Sequence, residues 1–368
     1  MFQAQSQKLE NLTFGTDSTL DIVSWNIEWF PKNGNATADS VKKIINALQA
    51  DIIGFQEIDD TSLIRQVIEQ TPGYKFHIAS GYFGGLVYAY KTSSVFAKSF
   101  SKIYDSSPYW KAFPRAPVVM NLLYKGEEYV IINNHYKCCG DGVLDLNNPN
   151  DEEARRYEAN TLLHSYIETN YDSAKVLVIG DLNDILTDSY QNNVFRMFYE
   201  APDKYKFADE AIAKGSSSSW SYPSWPSHLD HILITNELFA DFEQPQSSAQ
   251  TILVDDFMKG GFSAYDQFVS DHRPVGLKLM IKPMNTSVIK PIQPSVKIYP
   301  NPTIGEIIVE NTDRVNSISI FTLDGRSVEF KQTTKGNKTL LQFEGPKGLY
   351  FLKVDSDSKS EVFKVIKY

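Results

Sequence analysis

Short apolar strands alternate with amphipathic helices along most of this chain, and that alternation limits its fold more than any other feature. Residues 22–25 and 52–55 are apolar and have the length of buried strands, whereas residues 40–48 and 61–70 carry apolar side chains at helical spacing. Apparent hairpins interrupt the alternation. The pattern over residues 21–281 predicts an α/β fold of two mixed β-sheets packed together, with helices outside.

The pattern changes after residue 282. Prolines punctuate a polar linker at residues 283–294, and no segment of helical period follows it. Residues 295–368 hold short strands separated by turn signals, which predicts a small antiparallel β-sandwich. The chain is therefore divided into an N-terminal segment (1–19), an α/β domain (20–282), the linker and a C-terminal all-β domain.

Charge narrows the function classes. The 368 residues carry a formal charge of −9, which argues against passive duplex binding through a basic face. A metal-dependent enzyme acting on phosphodiesters remains compatible with this charge, because bound cations offset local negative charge. No stretch approaches the length of a transmembrane helix.

Two local features bear on the compartment. The first residues after Met1 lack the basic and apolar regions of a signal peptide, so they are either a disordered terminus or the remnant of a signal cleaved after Ala4. Cys138 and Cys139 are adjacent, so they cannot clamp a distant loop. They are either free thiols or a strained vicinal disulfide in an oxidising compartment.

Polar side chains recur where apolar strands end. Asp181 and Asn183, for example, follow an apolar run that stops at Gly180. Each such segment has a structural alternative, such as a turn, a helix cap or an interior histidine, but chance assembly of the whole set in one domain is much less plausible. The six segments are Trp25-Asn26-Ile27-Glu28, Gln56-Glu57, Asn133-Asn134-His135, Gly180-Asp181-Leu182-Asn183, Leu229-Asp230-His231 and Ser270-Asp271-His272-Arg273-Pro274.

These residue types indicate one kind of chemistry. Oxygen ligands without a cysteine–histidine cluster favour Mg²⁺ or Mn²⁺, with Ca²⁺ as an alternative, over structural zinc. Histidines beside carboxylates titrate near neutral pH. Together they fit hydrolysis of a phosphate ester by water, and no recognisable nucleophile elbow calls for a covalent intermediate.

In their order and composition, the six segments resemble the motifs of the endonuclease/exonuclease/phosphatase superfamily. The resemblance covers about residues 20–282. It implies a four-layered α/β sandwich with the active site at one rim of the two sheets.

The resemblance also implies a metal site. Glu57 would be the principal ligand, with Asn26 and Asp271 close to the cation. Glu28 stands where some relatives carry a second acidic residue on the metal side. The implied cofactor is Mg²⁺ or Mn²⁺.

Catalytic roles follow from the same resemblance. Asp181 and Asn183 would orient water and bind the phosphate, and His135 would contact the phosphate or protonate the leaving group. His272 would be the general base or a phosphate contact, with Asp230 fixing its tautomer.

Substrate contacts are expected from Arg115, within a recurrent Arg-x-Pro segment, and from Asn134; the alternative for Arg115 is a surface ion pair. The paired cysteines are not part of the general pattern, and we interpret them as a loop staple or as inert. The aromatic loop at residues 220–226 is expected to pack on the sheet, with stacking on nucleobases as the alternative.

The C-terminal region is similar to the sorting domain of type IX secretion in Bacteroidetes. The resemblance rests on residues 298–305, 323–326 and 348–354. It implies handling by the type IX machinery and a secreted or cell-surface protein, which favours a signal upstream of Met1. The alternative is a generic carbohydrate- or partner-binding β-sandwich.

The sequence thus predicts a secreted, monomeric, Mg²⁺-dependent phosphodiesterase, most simply a nuclease acting on extracellular DNA or RNA. A phosphomonoesterase or a sphingomyelinase-like phosphodiesterase would fit the same scaffold, because specificity resides in loops around a shared site. A catalytically silent surface binding protein is the alternative from another class.

Overall fold

Two compact units, residues 1–282 and 283–368, make up the chain in a computed structural model. The structure describes residues 8–79, 81, 84–281, 296–311, 315–323, 325–356 and 360–368, so the predicted linker lies outside the described residues. Leu12 and Phe14 are buried in the core of the first unit, and this part of the predicted N-terminal segment therefore packs on the α/β fold.

The first unit is built from twelve strands and seven helices among its described residues. The strands are β1 (Leu20–Phe30), β2 (Ile52–Ile58), β3 (Tyr74–Ala79), β4 (Gly85–Lys91), β5 (Val95–Lys102), β6 (Val118–Tyr124), β7 (Glu127–His135), β8 (Lys175–Asp181), β9 (Tyr205–Phe207), β10 (Asp230–Thr235), β11 (Ser248–Thr251) and β12 (Val275–Leu279). The helices are α1 (Asn35–Leu48), α2 (Thr61–Glu69), α3 (Glu152–Asn170), α4 (Arg196–Tyr199), α5 (Glu210–Ala213), α6 (Phe239–Phe242) and α7 (Gly261–Phe268).

The strands form two six-stranded mixed sheets. Their orders are β11-β12-β1-β2-β4-β3 and β5-β6-β7-β8-β10-β9. The pairs β1–β2 and β7–β8 are parallel, whereas β10 runs antiparallel to β8. The predicted pair of mixed sheets is confirmed.

Alternation along the strands separates three cores. In β1, Ile22 faces the second sheet, whereas Val23 and Trp25 face α1, α2 and α7. In β8, Leu177 likewise faces the first sheet and Val178 faces α3. The layers are therefore helix, sheet, sheet and helix, which is the four-layered sandwich.

The strands that were not predicted are mainly edge strands. β3 and β5 each end a sheet, and β5 buries only Val95 while alternating through exposed or half-buried residues. The β5–β6 pairing shifts register between Ala97 and Ser99, which interrupts the alternation that marks a half-buried strand. The short helix α7 was also missed, and α1 begins at Asn35 rather than at Ser40.

The second unit is all β. Its strands are β13 (Val296–Tyr299), β14 (Glu306–Asn311), β15 (Val315–Thr322), β16 (Ser327–Val328), β17 (Phe330–Lys335), β18 (Lys338–Phe343), β19 (Gly348–Ser356) and β20 (Ser360–Lys367). They form two antiparallel four-stranded sheets, β13-β14-β18-β17 and β16-β15-β19-β20, around an apolar core. Strands β16 to β18 were not predicted; β17 is an edge strand whose residues are almost all exposed.

Candidate active site

The strand ends that carry the polar segments meet at one rim of the two sheets. Asp230, at the start of β10, pairs with Asp181, at the end of β8, which in turn pairs with His135, at the end of β7. All three lie at positions that continue the inward-facing side of their strands. The rim therefore gathers side chains that are far apart in sequence.

Close approach of the sheets brings the first sheet's polar groups to the same place. At Gly54 an added Cβ would lie 2.6 Å from Ile179 Cδ1 and 3.2 Å from Asn133 Nδ2, so a larger residue there would require side chains of the second sheet to shift. One step further, Gln56 Nε2 donates to Asn133 Oδ1 at 2.8 Å. This buried amide pair holds the two sheets together directly beneath the rim.

Asn26, Glu57, Asp181 and His135 form the centre of the group. Asn26 Nδ2 donates to Glu57 Oε1 at 3.1 Å and to Asp181 Oδ2 at 2.9 Å. His135 Nε2 lies 3.6 Å from both of these carboxylate oxygens. The residues sit on four different strands, and one amide nitrogen links the two sheets.

The backbone is irregular at several of the rim positions that carry polar side chains. Glu57 has a φ of 61° and Asn183 a φ of 54°, in the left-handed region that non-glycine residues rarely adopt. The β1–β2 pairing shifts register between Asn26 and Phe30. Such strain clusters at functional sites because it re-aims side chains that a regular strand would point elsewhere.

His272 and Asp230 form a second pair beside this group. His272 Nδ1 lies 2.8 Å from Asp230 Oδ2, and Nε2 lies 3.8 Å from Asp181 Oδ2. Burial alone would lower the pKa of His272, but Asp230 and Asp181 raise it well above its ordinary value. The ring is therefore positively charged, with Nε2–H directed toward Asp181.

His135 has the opposite character. It is buried, and burial, with Arg115 and His272 nearby, holds its pKa well below its ordinary value. Its Nδ1 has no hydrogen-bond partner among the described residues. The rim thus holds one charged and one neutral histidine, which gives the two rings different capacities.

Carboxylates outnumber cations at the rim. Burial, with Asp230 and Glu57 close by, raises the pKa of Asp181 to about 7. Burial and Glu57 likewise raise the pKa of Asp271. Ligand atoms of Glu57, His135 and Asp181 lie within 4.8 Å of one another. Closely spaced, buried oxygen donors with surplus negative charge are the donor set that a hard divalent cation requires, so these residues fit a Mg²⁺-type ion.

A family model gives this geometry its context. Residues 23–272 match the model described as the endonuclease/exonuclease/phosphatase family. The chain belongs to this family. Members of the endonuclease/exonuclease/phosphatase family are phosphoester hydrolases that typically depend on divalent metals.

Solved structures of low sequence identity share the fold of this family member. TDP2 of D. rerio, complexed with a single-strand DNA product, is 15% identical, with a TM-score of 0.53 over 72% of this chain and 99% of that one. An endonuclease/exonuclease/phosphatase of Bacteroides vulgatus is 14% identical, with a TM-score of 0.51 over 72% and 99%. The human Nocturnin catalytic domain is 13% identical, with a TM-score of 0.50 over 71% and 94%. No curated protein sequence matches the chain.

The C-terminal unit has its own match. Residues 297–368 match the secretion system C-terminal sorting domain. This tail indicates type IX secretion to the cell surface or the extracellular space. Within the part of the chain that the structure describes, no helix is both long and apolar enough to span a membrane.

Most residues predicted for the site of this family member lie at the rim. Two of them, Asn183 and Glu28, hydrogen-bond to other site residues and hold them in position. Asn183 donates from its backbone to Asp181 Oδ1 at 3.0 Å. Glu28 accepts from the backbone of Asp271 at 2.9 Å and pairs with Lys32. Its carboxylate is thus engaged in positioning the loop of Asp271.

Arg115 and Asn134 were both predicted to contact substrate, but the structure gives them different positions. Arg115 Nη1 donates to Tyr136 O at 3.4 Å, and its guanidinium interacts electrostatically with Glu57 and Asp181. Asn134 is fully buried, and its amide donates to Ile132 O at 3.0 Å. Strand alternation points it away from the His135 face, so the structure places Asn134 in the sheet rather than at the rim.

Two neighbours of the site, Ser270 in the sixth polar segment and Tyr222 in the aromatic loop, were given no individual role from the sequence. Ser270 Oγ donates to Asn26 O at 2.8 Å and accepts from the backbone of His272 at 3.0 Å. The ring of Tyr222 lies 4.8 Å from that of His272. Tyr222 belongs to the aromatic loop, and no sequence pattern there indicates that its ring would lie against His272.

The adjacent cysteines follow the His135 strand directly. Their sulfur atoms lie 2.9 Å apart as separate thiols, and Cys139 is exposed. Arg156 Nη1 donates to the carbonyls of Lys137 and Cys139. The loop after His135 is therefore anchored by an arginine of α3.

Proposed function

We propose that this protein is a secreted, Mg²⁺-dependent phosphodiesterase that hydrolyses DNA or RNA outside the cell. The observation that carries the proposal is the rim itself, where Glu57, Asp181, His135 and the Asp230–His272 pair converge within hydrogen-bonding or ion-pair distances. The sorting tail supports an extracellular substrate. Fold relatives include a TDP2 in complex with a DNA product, which supports nucleic acid as the substrate class.

Glu57 would hold the cation, with Asn26 and Asp271 close to it; Mn²⁺ and Ca²⁺ are the alternatives to Mg²⁺. When bound, such an ion withdraws charge from the phosphoryl group and offsets the surplus of carboxylates. The protein's own residues perform the remaining steps.

Proton transfer falls to Asp181. A carboxyl group whose pKa is raised to about 7 by burial is well matched to accept a proton from water near neutral pH. Asn183 holds this carboxylate through its backbone N–H. Water activated in this way attacks the phosphorus, the P–O bond to the leaving oxygen breaks, and that oxygen takes up a proton from solvent.

The histidines stabilise the phosphate. His272, charged because of Asp230 and Asp181, donates Nε2–H to a phosphoryl oxygen as negative charge accumulates. His135 and Arg115 provide further contacts from the other side of Asp181. Of the two roles predicted for His272, we therefore favour the phosphate contact over the general base.

A substrate panel tests the proposal. The full chain is assayed with Mg²⁺ against DNA, RNA, sphingomyelin and inositol phosphates, with His272→Ala as the control. We expect hydrolysis of DNA or RNA that His272→Ala lowers by about a hundredfold or more. Hydrolysis confined to sphingomyelin or inositol phosphates would replace the nuclease with the alternative phosphoesterases, and no hydrolysis of any substrate would support a silent binding protein.

A further inference from the structure

A cavity of about 580 Å³ opens beside Arg115. One wall is the loop that joins β5 to β6, and another comes from the start of β4. The described residues that line it are Ala79, Gly81, Gly84, Leu86, Lys102, Asp105, Trp110, Phe113, Pro114, Arg115 and Ala116. Its volume lies within the range of small-molecule binding sites, about 300–1,000 Å³.

Arg115 joins this cavity to the proposed catalytic rim. It lines the cavity, its guanidinium interacts electrostatically with Glu57 and Asp181 of the rim, and Nη1 donates to Tyr136 O at 3.4 Å. Asn183 Nδ2 donates to the same carbonyl at 3.4 Å. A phosphate held at the rim would therefore place whatever is bonded to it at the mouth of the cavity.

The loop that forms the wall is anchored. Phe113 is buried and its ring stacks on Tyr104, with centroids 5.3 Å apart and planes 8° apart. Arg155 Nε, on α3, donates to Lys111 O at 2.8 Å. Because the loop is held on both sides of Ala112, little ordering is needed when a ligand enters.

The lining matches a flat heterocycle. Trp110 is 60% exposed, so much of its indole ring is open to a ligand that stacks on it. Leu86 and Pro114 add apolar surface, whereas Lys102 and Asp105, 3.3 Å apart, supply a donor and an acceptor. An acyl chain would use the apolar surface but leave that polar pair without a role.

We propose that this cavity binds a nucleobase of the substrate, stacked on Trp110, while Arg115 contacts the adjoining phosphate. The inference rests on the proposed function and adds to it the part of the substrate that is recognised. It assigns base binding to the β5–β6 loop rather than to the aromatic loop at residues 220–226.

The test compares esters with and without a base. The full chain is assayed with Mg²⁺ on the 5′- and 3′-(p-nitrophenyl phosphates) of thymidine and on methyl p-nitrophenyl phosphate. We expect at least one thymidine ester to have the higher kcat/KM. Trp110→Ala should lower that value by about tenfold to a hundredfold, chiefly through KM, and leave the methyl ester unchanged, whereas Trp110→Phe should retain most of the advantage.

Trp225→Ala is the matched comparison, since Trp225 is 78% exposed on the aromatic loop. An unchanged preference in this variant supports the proposal. Loss of the preference in Trp225→Ala but not in Trp110→Ala would overturn it, as would hydrolysis of all three esters without any advantage from the base. If wild-type protein hydrolysed DNA or RNA but none of the three esters, the base site would be overturned and the proposed function would stand; if it hydrolysed neither, both would fail.

Discussion

Asp181→Asn is expected to lower kcat for phosphodiester hydrolysis by about 10²–10⁴, the usual contribution of a positioned general base. The amide has nearly the shape of the carboxylate but cannot accept a proton from water. It keeps an oxygen that can accept the Asn183 backbone N–H. Because Asn26 Nδ2 donates to Asp181 Oδ2 at 2.9 Å, the new amide nitrogen faces a donor there, so a loss of stability should accompany the loss of kcat at saturating Mg²⁺.

The pH profile separates this role from a merely structural one. A base acts only when deprotonated, so the wild-type rate should fall as pH drops through the pKa of Asp181, while the residual rate of Asp181→Asn should not follow that slope. Asp203→Asn makes the same chemical change at an exposed position and should leave the profile unchanged. An Asp181→Asn enzyme within threefold of the wild-type kcat would rule out Asp181 as the base.

Asp209→Asn is expected to reduce the free energy of unfolding of the first unit by about 3–5 kcal/mol, as when one partner of a buried ion pair is removed. Asp209 is fully buried, and its Oδ2 lies 2.6 Å from His231 Nδ1 and 3.1 Å from His228 Nε2. The other ring nitrogen of His231 lies 2.8 Å from the carbonyl of Asp184. Both nitrogens of His231 must therefore donate, so the ring is cationic and loses its counterion in the variant.

The pKa shifts give the sign of the pH dependence. Burial opposes both charges, but the pair lowers the pKa of Asp209 and raises that of His231. A raised histidine pKa contributes stability that is fully present below the ordinary value and is lost as pH rises through the folded value. Wild-type stability should thus decline on the alkaline side of neutrality, and the decline should be smaller in Asp209→Asn, which keeps only the contribution of the His272–Asp230 pair.

Tryptophan fluorescence during urea unfolding measures both effects, because all five tryptophans lie in the first unit. Asp203→Asn serves again as the exposed control and should change stability by no more than about 0.5 kcal/mol. If Asp209→Asn were as stable as this control, His231 would be neutral and the Asp209–His231 ion pair would contribute nothing to the free energy of unfolding.

The sequence predicts the layers of the fold well because central strands, buried on both faces, are continuous apolar runs that amphipathic helices separate. The alternation of side chains within a strand explains what was missed at the site. Adjacent residues of a strand point to opposite faces, so His135 reaches the rim while Asn134 does not. Likewise Asp230 faces His272 while its neighbour His231 faces Asp209. Each motif contains both residues of such a pair, and only the register of the strand determines which of the two points to the rim.

Other features depend on three-dimensional contacts that leave no local pattern. Asp209 has no counterpart among the strand-end segments, and it meets two histidines only after β10 has paired with β8 and β9. The left-handed φ of Glu57 is imposed by the surrounding structure, since the intrinsic preference of glutamate is against it. The order of the motifs was nevertheless enough to predict the rim, because the rim is formed by strand ends and each motif marks one of them.

The central claim is that Glu57 holds the divalent cation on which hydrolysis depends. The most direct measurement is the rate of phosphodiester hydrolysis by chelator-treated full-length protein before and after Mg²⁺ is added, for the wild type and Glu57→Ala. We predict that Mg²⁺ restores the wild-type rate and leaves Glu57→Ala at least about a hundredfold slower. Hydrolysis by Glu57→Ala at the wild-type rate with Mg²⁺, or full wild-type activity without any divalent cation, would contradict the claim.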